Sequence, residues 1–257
     1  RVVLVLLFFK DTATTESYTI SLHDALPIFI PARLQSIRLP RKILVPINDK
    51  PMIVHVYEQA LQAKTLDEVY IAIDSDETAE ALKPFNVNTV MTFSDHKSGT
   101  DRVAQVVAAL DADVVVNIQG DEPAMDPKLI DEVVGLFQTP NVFMATAAST
   151  DISLEDEYDP NVVKVLVDQN NIALAFRREP RPYEMGGYYR HIGMYAFRKK
   201  ALMKFTNMKQ TENEKKHRLE QLRVLDNGLP IHVIMTDYAG RGIDTEEDLN
   251  AFLEAHG

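Results

Sequence analysis

The chain has 257 residues, 46% of them hydrophobic and 25% charged, with 27 basic against 38 acidic side chains and a formal net charge of −11. That composition excludes a collagen-like, disordered or disulfide-stapled chain, and roughly 150 residues per domain allows one or two domains. No cysteine is present, which removes disulfides, thiolate metal sites and a thiol nucleophile. The acidity disfavours non-specific binding to nucleic acid or to an anionic membrane, so an anionic ligand has to meet a local concentration of basic residues.

Val2 to Phe9 is an apolar run, far short of the roughly 20 residues that cross a bilayer, and no small-residue cleavage site follows it promptly. Residues 11 to 27 show neither helical nor strand periodicity. Residues 1–27 are therefore expected to be a disordered extension or non-native. The string resembles translated sequencing-adaptor read-through, with Ile28 onward as the biological start.

From there strand-like and helix-like segments alternate. Ile28-Phe29-Ile30 is a short apolar run stopped by Pro31, and Pro51 to Ala63 carries helical spacing at Met52, Ile53, Val56, Tyr57 and Ala60. Val69 to Ile73 is a strand closed by Asp74, Thr78 to Leu82 a short helix, Thr89 to Thr92 a short strand. Asp101 to Leu110 reads as an amphipathic helix, Val114 to Ile118 as a buried strand, Pro127 to Phe137 as a helix. Asn161 to Val167 and Ile172 to Phe176 flank a hairpin turn at Asp168–Asn171. Arg177 to Gly187, with two prolines and two glycines, is a loop. His191 to Phe197 is a strand, Asn213 to Leu225 a helix with Gly228 as its cap, Ile231 to Met235 the last strand and Thr245 to Ala255 the closing helix. Near-continuous Val/Ile strands separated by helices predict an α/β fold. The expected architecture is a mainly parallel sheet with helices on both faces. It forms one domain over 28–257, with a β-hairpin and loop insertion at about 150–215.

Phe29 to Asn48 contains Arg33, Arg38, Arg41 and Lys42 and no acidic residue. It follows the first strand of the fold, and open α/β sheets bind ligands beyond the carboxyl ends of their strands. A basic loop there suits a triphosphate, since backbone amides and cationic heads offset phosphate charge; the bland alternative is a solvated surface loop. No GxxxxGK[ST] and no GxGxxG is present, which argues against a Walker A loop and against hydride transfer on a dinucleotide. Gln119-Gly120-Asp121-Glu122-Pro123 closes another strand, where Asp121 suits Mg²⁺ or is merely a turn acid. Asp244 precedes the last helix, where Thr245 and Asp248 form a capping-box pattern. Ser98 and Asp101 offer a second such pattern. His191 alternates with apolar neighbours and by itself reads as a core histidine.

The order of these segments resembles the sugar-acid cytidylyltransferases, and most closely the 3-deoxy-manno-octulosonate cytidylyltransferase (CMP-Kdo synthetase) family, whose first motif reads IPARxxSxRLPGKPL. The likeness runs from residue 28 to about 254. It passes through NDKPMIV at 48–54, Asp95-His96-x-Ser98-Gly99-Thr100-Asp101-Arg102, Asn117-x-Gln119-Gly120-Asp121-Glu122-Pro123, His191-x-Gly193-x-Tyr195, Leu219-Glu220-Gln221-Leu222-Arg223 and Gly242-Ile243-Asp244-Thr245-x-Glu247-Asp248-Leu249.

The resemblance implies that this α/β sheet is a Rossmann-like nucleotidyltransferase sheet, with CTP and a 3-deoxy sugar acid, Kdo, as substrates. It implies Arg33, Arg38 and Lys42 as the catalytic cations, and Ala32, Arg33, Ser36, Ser98, Gly99, Thr100, Arg102 and Gln119 as CTP-binding residues. Asp121 and Asp244 become ligands of Mg²⁺. Arg178, His191, Tyr195, Glu220 and Gln221 fall in the sugar-acid site. A cytoplasmic homodimer is implied as well, touching neither nucleic acid nor membrane. Two departures stand out. Arg41 replaces the glycine before the lysine, with Ile43 for the following proline, and Arg177 to Tyr183 retains only Phe176, Arg178, Pro182 and Tyr183 of the family's FSRxxIPY pattern. Arg41 would either add a phosphate contact or obstruct the loop. The rival readings are an N-acylneuraminate cytidylyltransferase, disfavoured because Leu34-Gln35-Ser36-Ile37 replaces its Gly-Gly-Ser-Lys run, and a non-catalytic CTP-binding module.

Overall fold

A computed structural model describes residues 5–7, 17–19, 26–36, 38–179 and 187–256. The chain divides into two compact units, Arg1–Pro127 with Gly240–Gly257, and Lys128–Ala239. The second begins earlier than the 150–215 insertion read from the sequence. Most of the expected N-terminal extension lies outside the described residues; within it, β1 (Val5–Leu7) and β2 (Ser17–Thr19) pair antiparallel.

The first unit continues with β3 (Pro27–Ala32), β4 (Pro46–Ile47), β5 (Lys50–Pro51), α1 (Met52–Ala60), β6 (Glu68–Ile73), α2 (Asp76–Leu82), β7 (Thr89–Met91), α3 (Gly99–Val107) and β8 (Val114–Ile118). The order β8-β3-β6-β7 is parallel at every pairing. Ile28, Phe29, Ile30 and Ala32 are all 0% exposed. Successive strand residues point to opposite faces, so β3 is covered on both sides. Each such side chain contributes about 1.5–3 kcal/mol of burial, and α1 and α3 pack against β3. Because the strands run the same way, the residues after Ala32, Ile73, Met91 and Ile118 gather at one edge of this sheet.

The second unit holds most of α4 (Pro127–Gly135), then β9 (Met144–Ser149), α5 (Leu154–Tyr158), β10 (Lys164–Val167), β11 (Ala173–Arg177), β12 (Tyr188–Arg198), α6 (Lys199–Asn207), α7 (Glu212–His217), α8 (Leu222–Asp226) and β13 (Ile231–Thr236). Here β10 pairs antiparallel with β11 and β12, β12 antiparallel with β9, and β9 parallel with β13. The expected hairpin is present: Asp168 N–H donates to the Ile172 carbonyl at 2.9 Å, the Asp168 carboxylate accepts from Asn170 and Ile172, and Asn171 is left-handed at φ 57°. The expected Arg177–Gly187 loop lies mostly outside the described residues, Pro182 and Tyr183 included.

One expectation needs correction. Asn213 to Leu225 is two helices rather than one: Arg218 closes α7 with φ 53° in the left-handed region, and α8 begins four residues later. The break is held by a buried ion pair, with Arg223 donating to both Glu214 carboxylate oxygens at 2.5 and 2.8 Å. Gly228 ends α8 as expected. At φ 68° its N–H reaches the Leu225 carbonyl at 2.9 Å, while Leu229 N–H reaches Val224 at 3.1 Å, the paired bonds of a Schellman cap. The chain returns to the first unit through α9 (Glu246–His256).

Candidate active site

The loop after β3 carries the expected cations. Arg33 and Arg38 are exposed, and Lys42 is half-buried in a short 3-10 turn, Lys42–Leu44. Arg41, immediately before it, sits at φ 55°, ψ 31°. That left-handed conformation costs an ordinary residue about 1–2 kcal/mol and a glycine almost nothing, which explains the glycine in the family pattern. The Arg41 guanidinium pairs with Glu77 at the start of α2, away from Lys42's partners.

Lys42 Nζ donates to Asp121 Oδ2 at 2.5 Å and to Asp244 Oδ1 at 2.7 Å, and Arg38 donates to Asp244 Oδ2 at 2.7 Å. The two aspartates are distant in sequence and meet for two reasons. Ile243 N–H donates to the Asp121 backbone carbonyl at 2.8 Å. Ile243 is also buried with Ile47 and Met52, with Leu39, Val45, Leu249, Phe252 and Leu253 packed against them. One apolar cluster thus fixes the lysine loop, the segment before α9 and α9 itself. Thr245 caps α9 as the sequence indicated: its Oγ1 accepts from Asp248 N–H at 3.2 Å, and Asp248 accepts from the Asp244 and Thr245 amides at 2.9 and 2.8 Å. Capping leaves the Asp244 carboxylate for Lys42 and Arg38. Burial opposes charge at Lys42 and at Asp244 but is outweighed. The Lys42 pKa is raised by Asp121 and Asp244 against desolvation, and the Asp244 pKa is lowered by Lys42 and Arg38 against desolvation.

Two carboxylates converging on one cationic nitrogen form a hard-oxygen donor pair of the kind Mg²⁺ takes, with the remaining ligands from phosphate oxygens and water. Among the described residues no group of three or more acidic or histidine side chains is placed to hold a metal by itself.

The segment at Ser98–Arg102, expected to bind CTP, is equally built. Ser98 caps α3, its Oγ accepting from Asp101 N–H at 3.1 Å. A Cβ at Gly99 would lie 2.9 Å from Pro31 Cγ, so glycine here is required by the packing of α3 against the end of β3. Thr100 is buried and accepts from Asn117 Nδ2 at 3.4 Å. Ala32 is buried, and Ser36 and Gln119 are half-buried at the same strand ends. Arg102, expected to touch CTP, is only 3% exposed. Its guanidinium donates to Asp74 at 3.0 Å, Thr92 Oγ1 at 2.5 Å and the Phe93 carbonyl at 3.3 Å, so these donors are engaged within the unit. Asp74, which the sequence showed only as a strand terminator, also accepts the Leu34 N–H at 3.2 Å.

The expected sugar-site residues lie in the second unit. β12 bulges between Ile192 and Tyr195, and Thr146 on β9 spans the bulge, its hydroxyl donating to the Met194 carbonyl at 2.7 Å. That hydroxyl proton being used, His191 Nε2 at 2.9 Å must be the donor to Thr146 Oγ1. The imidazole stands edge-on to Phe176 at 5.1 Å and tilted on Tyr195 at 5.5 Å. Burial, and then the Arg190 charge, push its pKa down to about 3, so it is neutral at working pH. The Tyr195 hydroxyl is pushed up, chiefly by burial and then by Glu220. Glu220 is half-buried and Gln221 buried where α8 begins. Arg178, expected in the sugar-acid site, donates to the Pro160 carbonyl at 2.9 Å, the His217 carbonyl at 3.1 Å and the Arg218 carbonyl at 3.5 Å. Lys164, which the sequence reading passed over, is 1% exposed and donates to the Asp159, Val162 and Arg178 carbonyls at 2.7, 2.9 and 2.5 Å. A fully buried lysine in a strand carries no sequence signal of its own.

Residues 28–233 match the cytidylyltransferase family model. The chain is 41% identical over 241 residues to the 3-deoxy-manno-octulosonate cytidylyltransferase of Geobacter sulfurreducens, covering 88% of this chain and 96% of that protein. It is 42% identical over 230 residues to the enzyme of the same name from Chloroherpeton thalassium, covering 86% and 94%. Among solved structures it is similar to a CMP:2-keto-3-deoxy-manno-octonic acid synthetase complexed with CTP, at TM-score 0.84 and 36% identity over 91% of this chain and 98% of that one. The chain belongs to the 3-deoxy-manno-octulosonate cytidylyltransferase family.

Proposed function

We propose that the chain transfers a cytidylyl group from CTP to Kdo, forming CMP-Kdo and diphosphate. The observation that carries this is the Lys42–Asp121–Asp244 cluster with Arg38, at the carboxyl edge of a parallel sheet, in a chain of this family. The anomeric 2-hydroxyl of the sugar acid attacks the α-phosphorus, a new P–O bond forms as the bond to the diphosphate oxygen breaks, and the hydroxyl proton passes to solvent. Arg33, exposed beyond β3, and Arg38 offset the phosphate charges. Lys42 adds positive charge and holds the two carboxylates at one point. Such preorganised charge acts where charge develops, without reorganisation at the moment of reaction. Asp121 and Asp244 would hold Mg²⁺, which when bound supplies Lewis-acid charge and favours ionisation of a hydroxyl. In the second unit, neutral His191 and the buried Tyr195 offer hydrogen bonds to a polyhydroxy acid without adding charge.

Arg41 pairs with Glu77 outside the Lys42 cluster, so this departure from the family pattern does not support the non-catalytic alternative. Among the described residues no helix is long and apolar enough to cross a membrane. A cytoplasmic homodimer is the assembly we propose, checked by light scattering. The test of function is diphosphate release with Mg²⁺, CTP and a panel containing Kdo and N-acetylneuraminate. Release with Kdo is expected; release only with N-acetylneuraminate, or with neither, overturns the assignment.

A further inference from the structure

Asp74 sits just past the end of β6, at the edge where the strand-end loops of the first unit gather. Its side chain is 14% exposed and that of Arg102 is 4% exposed. One Asp74 oxygen accepts from Leu34 N–H, in the loop directly after Arg33; the other takes the Arg102 guanidinium. Arg102 in turn grips Thr92 and the Phe93 carbonyl after β7, and stands in the first turns of α3, whose N-terminus is Ser98-Gly99. A single buried pair therefore ties together the loops after β3, β6 and β7 and the start of α3. The resemblance places CTP-binding residues in both the first and the last of these.

We infer that Asp74 is a positioning residue for nucleotide binding, fixing the backbone beside Arg33 through the Leu34 N–H while Arg102 orients its carboxylate. The physical reason is that Leu34 N–H belongs to no strand ladder and needs an acceptor. A carboxylate held by a buried guanidinium is a stiffer acceptor than water, because its rotamer is set from the other side. Asp74 also balances Arg102, which would otherwise place an uncompensated buried cation near Arg33. The inference rests on the proposed CTP-dependent function and deepens it.

The test measures CTP binding calorimetrically without acceptor, together with thermal stability, in two charge-neutral double variants. In D74N/R102M the asparagine carbonyl still accepts from Leu34, and the amide no longer faces a guanidinium. In D74A/R102M the acceptor is gone. The CTP Kd is expected within about threefold of wild type for the first and about tenfold weaker for the second, at similar Tm. Equal CTP affinity in the two double variants overturns the inference. If the methionine background fails to fold, Asp74→Asn alone serves. It loses one of the two bonds in either amide orientation, so faster amide exchange at Leu34 and a CTP Kd weaker by about fivefold are expected. An unchanged Kd at wild-type Tm overturns the inference. A wild-type chain that fails to bind CTP at all overturns the functional reading itself, and is distinguished by that control.

Discussion

The two units use their arginines in opposite ways. In the first, Arg33 stands exposed beyond a strand end and Arg38 reaches a carboxylate, while Arg102 is withdrawn to brace the loops between them. In the second, Arg178, which the family resemblance assigns to the sugar-acid site, donates to three backbone carbonyls, and Lys164 donates to three as well. The difference follows from the backbone. A parallel sheet delivers its strand ends to one edge, so the loops there need little bracing beyond one buried pair. The antiparallel β10–β12 region borders chain at Asp159–Val162 and His217–Arg218 whose carbonyls have no ladder partners, and buried carbonyls left unpaired are costly. A motif match predicts where a cation lies; the local supply of unpaired acceptors decides what it holds.

The largest effect expected is at Asp121. Replacing it with alanine removes half of the donor pair and leaves Lys42 with Asp244 alone. We expect kcat/KM for CMP-Kdo formation to fall about 10³-fold, the scale of losing a preorganised charged group, with Tm within a few degrees of wild type. Activity within tenfold of wild type would place the reacting phosphate elsewhere and undo the first half of the comparison.

Arg178→Ala probes the second half. If the guanidinium is a brace, stability falls by about 1–3 kcal/mol as carbonyls lose their donors, a Tm loss of roughly 3–10 °C for a chain of this size. CTP affinity stays unchanged and the acceptor KM rises less than about threefold. A carboxylate clamp gives the reverse, a raised acceptor KM at unchanged Tm, measured by steady-state kinetics beside differential scanning fluorimetry.

These contrasts bear on what the sequence discloses. β3, β6 and β8 were legible because their apolar runs are unbroken, and the β10–β11 hairpin because Asp168 to Asn171 supplies turn chemistry. β9 was not: in Met-Ala-Thr-Ala-Ala-Ser only Thr146 is of the β-branched or aromatic kind that marks strands, yet all six residues are buried. α6 was hidden by its start. Lys199 and Lys200 follow Arg198, an unfavourable charge for a helix N-terminus, and only Ala201, Leu202 and Phe205 show its buried face. The break at Arg218 carries no glycine or proline to announce it. At the site, the paired aspartates were legible from motif order, whereas Asp74 was not, because its role depends on an amide 40 residues away.

A smaller effect separates His191 as a structural group from His191 as a titrating one. Its folded pKa of about 3 lies below the ordinary value of 6.5. Between those values the unfolded chain binds a proton that the folded chain refuses, so stability present above pH 6.5 is lost as pH falls toward 3. The Tm of the wild type is expected to fall from pH 6.5 to 4.5 by a few degrees more than that of His191→Gln, which cannot titrate. Identical slopes would mean that the imidazole protonates in place. The rate near neutral pH should carry no inflection from this residue.

The smallest effect expected is at Arg41. Arg41→Gly relieves a left-handed backbone worth about 1–2 kcal/mol. Against this stand glycine's greater unfolded-state freedom, about 0.5–1 kcal/mol, and the loss of an exposed ion pair with Glu77 worth about 0–1 kcal/mol. The opposing contributions nearly cancel, so Tm is expected to move by less than about 3 °C, and the variant's stability to depend less on salt because the screened pair is gone. CTP KM should stay within about twofold, since the guanidinium points to α2 and not to the Lys42 cluster. A rise of fivefold or more would show that Arg41 leaves Glu77 for the triphosphate when nucleotide binds. The basic loop would then hold one more working cation than the resting geometry assigns it, and the contrast between an economical first unit and a heavily braced second would narrow.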